Sequence, residues 1–199
     1  MKKKIMCLPL LAVLLLTGCE KRLFHFIATI NQTPVFNVDQ TGAFKKSIQI
    51  SSSLVRSQLD IPEDARITQL DIESLSLRVE VKSGNQASRL SVSGTILDVG
   101  QQRQKQMFKD FPVVLVGVNA PFVGLNSLIA DGISELRGKL EGYVKNLDTG
   151  SFFIEVTGDS NPPGQRVLVD LHLVIKATVK YDQCVEVPQL FSSGEECTE

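Results

Sequence analysis

Residues 166–181 run Arg166-Val167-Leu168-Val169-Asp170-Leu171-His172-Leu173-Val174-Ile175-Lys176-Ala177-Thr178-Val179-Lys180-Tyr181. Val167, Val169, Leu171, Leu173, Ile175, Ala177, Val179 and Tyr181 hold every second position, with Asp170, His172, Lys176, Thr178 and Lys180 between them. Side chains alternate across a strand, so period two over this length gives one buried face and one largely wet face. The stretch predicts a long strand of an antiparallel sheet covered on one side. Upstream, Ser151–Thr157 is its predicted hairpin partner, joined through the polar loop 158–165, which holds Gly158, Pro162, Pro163 and Gly164.

The same pattern recurs toward the amino end. Leu75, Leu77, Val79 and Val81 alternate, Ser83-Gly84-Asn85-Gln86 turns the chain, and Leu90, Val92 and Ile96 continue, which predicts a second hairpin. Leu70 and Ile72 are out of phase with Leu75, so a bulge is expected near Ser74. Shorter strands are expected over 23–30, 35–38, 44–50 and 111–118, with Pro112 holding the last to a sheet edge. The polar run 100–106 reads as a connection, and a short helix over 53–59 should stop before Ile61-Pro62.

One segment has helical period instead. Leu125, Leu128, Ile129, Ile133, Leu136, Leu140, Tyr143, Val144 and Leu147 step by three and four, drawing one apolar stripe. Glu135 with Lys139 and Glu141 with Lys145 are i,i+4 pairs in the favourable orientation. Gly132 lies within the stripe, where the missing side chain would let another backbone approach. The polar face carries both signs of charge, so the helix should pack over its own sheet and not lie on a membrane surface. The fold class expected is therefore mainly β: an antiparallel β-sandwich or curved sheet with one amphipathic helix, about 122–147, packed on it. No break in composition divides 30–183, which reads as a single β-rich domain.

The amino end is an address. Lys2, Lys3 and Lys4 precede the apolar run Ile5–Leu16, which closes on Thr17-Gly18-Cys19. This is the pattern of a secretory signal peptide over residues 1–18, with too short an apolar run to span a bilayer. Leu16-Thr17-Gly18-Cys19 resembles the lipobox of bacterial lipoproteins. That resemblance implies that Cys19 becomes the first residue of the mature chain and carries the lipid, with residues 19–29 forming the anchor, a short tether and the start of the first strand. Two or three acyl chains, at about 0.8 kcal/mol per buried CH₂, hold a domain on a bilayer almost permanently. The residue after the Cys is Glu20, not the Asp that favours inner-membrane retention in such families. The periplasmic face of an outer membrane is the expected location in a cell that has one.

With residues 1–18 removed, Cys184 and Cys197 are the cysteines left beside Cys19. Exported chains keep disulfides, so a Cys184–Cys197 bridge closing the tail 184–199 is expected. Their spacing matches no zinc site and no metal is expected. Loss of the leader also leaves 18 basic against 22 acidic residues, a net charge of −4 that gives no footing for nucleic acid.

No reaction is legible. His25 and His172 are the two histidines; the Gly-x-Ser-x-Gly turn, the His-Glu-x-x-His helix, a phosphate loop and an EF-hand loop are all missing. Trp is absent and Tyr occurs twice, a poor supply of the exposed aromatic platforms used to bind sugars. The reading is a lipid-anchored envelope protein, not an enzyme, with no cofactor and a binding or structural role at the membrane surface. Its expected partners are the membrane, through lipid on Cys19, and another envelope protein or an apolar ligand. An alternative is a carrier that holds a lipid or other apolar molecule between helix and sheet, which requires an enclosed cavity. A hydrolase using His25 or His172 would need either ring within reach of a Ser or Cys and a carboxylate.

Overall fold

The computed structural model describes residues 19–98, 100–117, 120–188 and 195–197; the expected leader, residues 1–18, lies outside them. The decisive stretch forms the start of β9 (Arg166–Pro188), which is longer than its alternation foretells. It is the spine of one sheet. On one side it pairs with β1 (Cys19–Gln32) and, beyond Pro34, with β2 (Val35–Thr41); on the other it pairs with β4 (Arg66–Val81). The two-residue strands β7 (Val123–Gly124) and β10 (Glu195–Glu196) close the edges, giving the order β10-β1-β9-β4-β7. The second sheet has the order β3-β8-β5-β6, from β3 (Phe44–Ser51), β5 (Arg89–Asp98), β6 (Arg103–Val114) and β8 (Ser151–Asn161). All these pairings are antiparallel, so the fold is a β-sandwich, as the alternation predicts.

Neither expected hairpin forms. β8 and β9 lie in different sheets, as do β4 and β5, so loops 162–165 and 82–88 carry the chain across the sandwich. The turn from β2 to β3 crosses in the same way. An alternating strand shows the same sequence whether its apolar face meets a neighbour's across a core or lies beside it in one sheet, which is why pattern alone misassigned the pairing. The three corners share one end of the molecule and bond to one another: Gly42 N–H donates to Gln165 O, and Gln86 N–H to Arg166 O. The guanidinium of Arg166 also meets Asp39 at 3.0 Å.

The inner faces supply the core. Leu75, Leu77, Val79, Val167, Val169, Leu171 and Leu173 come from one sheet; Leu90, Val92, Ile96, Phe152, Ile154 and Val156 come from the other, all of them buried. The bulge expected near Ser74 is present as a register shift between Ile72 and Ser74. Pro112 stands on edge strand β6, opposite Ser91. The polar run 100–106 is not simply a connection: Arg103–Gln106 already belong to β6, where no apolar alternation announces a strand.

Among the described residues, two helices cover the gaps. Short α1 (Ser52–Arg56) starts at Ser51, whose hydroxyl accepts from Leu54 N–H. The main helix, α2 (Ala130–Val144), is shorter at both ends than the stripe 122–147. Val123 and Gly124 are extended against β4, Leu125 N–H donates to Leu75 O, and Leu128 bridges to Phe108, so the stripe residues Leu125 and Leu128 are used outside the helix. At the other end Asn146 takes φ 58°, a left-handed stop that Asn tolerates, and Leu147 is left exposed. Leu136, Leu140 and Tyr143 are fully buried against the sheets. Gly132 does what its place in the stripe foretells: a Cβ there would lie 2.1 Å from Gln106 O of β6.

Candidate functional site

Cys19 is the first residue of β1 and stands opposite Pro188 in the ladder with β9. Pairing of β1 with β9 continues unbroken from Cys19 to Gln32, so the residues expected to form a short tether are already strand. Cys184 belongs to β9, opposite Leu23, and is bonded to Cys197, with the two Cα atoms 6.1 Å apart. The sequence thus locates this bridge correctly, although 184–188 is strand and not tail. Around it the charges complement one another. Arg22 meets Glu20 at 2.9 Å and His25 Nδ1 meets Asp182 at 2.6 Å. The hydrogen bond to Asp182, aided by that carboxylate's charge, lifts the His25 pKa above its usual value.

The two histidines are not brought together. His25 is on the exposed foot of the long sheet, and His172 lies 3.5 Å from Glu80 on the outer face of the same sheet. Among the described residues neither ring hydrogen-bonds a Ser or Cys, the pairing a nucleophile needs. No group of three His, Cys, Asp or Glu residues able to hold a metal occurs among them. No helix among them is long and apolar enough to cross a membrane.

The least solvated charged cluster is one that sequence reasoning missed. Lys139 of α2 reaches Asp98 at 2.6 Å and Asp148 at 2.8 Å, instead of pairing with Glu135 as its i,i+4 spacing foretells. The expected Glu141–Lys145 pair does form, at 2.5 Å. Burial opposes the charge on Lys139, but the hydrogen bonds to Asp148 and Asp98 outweigh it and hold its pKa above the ordinary value. The same ammonium, with the Gly150 N–H, holds Asp148 below the usual carboxylate range. Burial pushes the neighbouring Tyr143 hydroxyl up to about 12. Asp98 also accepts from Gly100 N–H and Gln101 N–H. Every partner here is a piece of the scaffold, so the cluster fastens helix to sheet.

The open edge of the sandwich is different. Between β4 and β6 lies a mainly apolar cleft of about 300 Å³, open to solvent and walled by Leu77, Val79, Phe111, Val113, Val116 and Val123. Val114, Val116, Phe122 and Val123 around it are 57%, 56%, 48% and 47% exposed. From Phe111 to Leu125 the sequence carries no charge. Arg78 supplies the nearby cation, its guanidinium 4.8 Å from the Phe122 ring centre. Isolated exposed apolar residues are ordinary, whereas a contiguous apolar strip is a feature that contact surfaces share.

No protein-family model matches the chain, and no curated protein matches it. Among solved structures it is similar to the BFDV capsid protein as a 60-mer, with 10% identity, a TM-score of 0.34, and coverage of 85% of this chain and 98% of that one. The decameric BFDV capsid protein gives 13%, 0.32, 80% and 99%. The structure of infectious bursal disease virus Gx strain gives 16%, 0.29, 83% and 42%. All three scores fall short of a shared fold.

Proposed function

We propose that the chain is a lipid-anchored protein of the cell envelope, held through an acylated Cys19, and that it serves without catalysis as a binding or structural element at the membrane surface. The leader and the Leu16-Thr17-Gly18-Cys19 box support the anchor, and the Cys184–Cys197 bridge fits an oxidising compartment. With Glu20 following the Cys, the outer membrane's periplasmic face is the favoured address in a cell with two membranes. Residues 1–18 are the leader and 30–183 the working domain. The observation that carries the binding role is the uncharged strip at the β4–β6 edge, where Leu77 and Val79 of the core are reached from outside.

A carrier requires an enclosed apolar cavity between helix and sheet. The space beneath α2 is occupied by Leu136, Leu140 and Tyr143, each at most 1% exposed, which favours a scaffold with a filled core. Native mass spectrometry of the protein isolated from its own envelope separates these readings. A binding or structural protein is released without a small apolar ligand in its fold; a stoichiometric retained lipid, beyond the acyl chains on Cys19, would make the carrier reading correct instead.

A further inference from the structure

In the foot of the long sheet β1 has a partner on each edge. Arg22 and Leu23 face Val185 and Cys184 of β9 on one side, and Glu196 and Glu195 of β10 on the other. The disulfide joins Cys184 of β9 to Cys197, the residue after β10, so the backbone at Arg22 and Leu23 lies between segments that are covalently tied to each other. A two-residue strand has little stability of its own. The bridge ties β10 to the sheet beside β1, and the carboxylate of Glu195 acts on His25 across that edge. Without β10, the outer edge of β1 at Arg22–Leu23 would present free N–H and C=O groups, the template that an incoming extended chain requires.

We propose that the Cys184–Cys197 bridge is a clasp that protects the junction between the anchor residue and the sandwich from proteolytic cutting. The bonds at risk follow Lys21 and Arg22, which are sites for a protease of tryptic specificity. Cutting at either bond would leave Cys19 on one fragment and the sandwich on the other. The biological consequence, release from the membrane, rests on the lipid-anchor reading; the protection itself does not.

The test uses protein purified in detergent from cells expressing the full 199-residue chain, as wild type and as Cys184→Ser/Cys197→Ser. Both are digested with trypsin, and the fragments beginning at Arg22 and Leu23 are timed by mass spectrometry. Loss of a loop constraint of this size predicts cutting at these two bonds at least about tenfold faster in the double variant. The bond after Lys180, in β9 between β1 and β4, serves as the internal control and should be cut at an unchanged rate. Equal rates after Lys21 and Arg22 in the two proteins would overturn the proposal. So would an equal acceleration after Lys180, which would make the bridge a global staple and not a local clasp. The mass of the short amino-terminal piece reports separately whether Cys19 carries lipid, so failure of the anchor and failure of the clasp give different results.

Discussion

Lys139 Nζ lies 2.6 Å from Asp98 Oδ2, with 9% and 2% of the two side chains exposed, and this contact ties the middle of α2 to the end of β5. Removing one partner of a buried pair strands the other charge out of water. Lys139→Met should therefore destabilise the fold by about 3–5 kcal/mol in urea unfolding, and Lys139→Met with Asp98→Asn should recover most of that loss. A loss in the single variant below about 1 kcal/mol would mean that the pair is solvated in solution.

The pH dependence of this cluster has a defined sign. Asp148 has a lowered pKa, so its contribution is present above the ordinary Asp value and fades as pH falls through the lowered one. Lys139 has a raised pKa, so its contribution is present below the ordinary Lys value and fades as pH climbs through the raised one. The urea midpoint should be flat near neutrality and fall in acid, with a shallower acid limb in Asp148→Asn. An unchanged acid limb would rule out Asp148 as its source.

Two glycines of one helix should respond in opposite directions. At Gly132 a Cβ would meet backbone of β6 that cannot swing aside, so Gly132→Ala should lower stability despite Ala's better helix propensity. Gly138 has nothing within 4 Å of the same position, and Gly138→Ala should raise stability by about 0.5–1 kcal/mol. Thermal melts of the two variants decide the matter; a rise in both would place α2 further from β6 than described.

His25 should titrate above its ordinary value because Asp182 accepts its hydrogen bond. The raised sign means that the contact favours the fold at low pH and loses this advantage as pH rises through the folded value. NMR titration of the ring should show the elevation in the wild type and its disappearance in Asp182→Asn. Identical curves would place the two side chains apart.

Strand identity and face were readable wherever one face is buried and the other wet, as in 166–181 or 75–81. Sheet membership was not. Val156 and Val167, both fully buried, flank a loop that looks like a hairpin in sequence, yet the chain there passes from one sheet to the other. Cys184 and Cys197 could be paired because few thiols remain once the expected leader is set aside, whereas β10 is too short to announce itself. Lys139 was assigned to Glu135 by spacing along the helix; its real partners, at positions 98 and 148, come from segments that only the tertiary fold brings near. Leu125 and Leu128 continue the helical stripe in sequence, but Gly124 beside them and the free edge of β4 drew this segment into extended backbone.

The proposed role rests on chemical modification of one sulfur atom, that of Cys19. Intact-mass analysis of the protein isolated from its native cell should show a chain beginning at Cys19 and carrying acyl groups. A mass equal to the chain with residues 1–18 still attached, or to a chain from Cys19 with a free thiol, would contradict it.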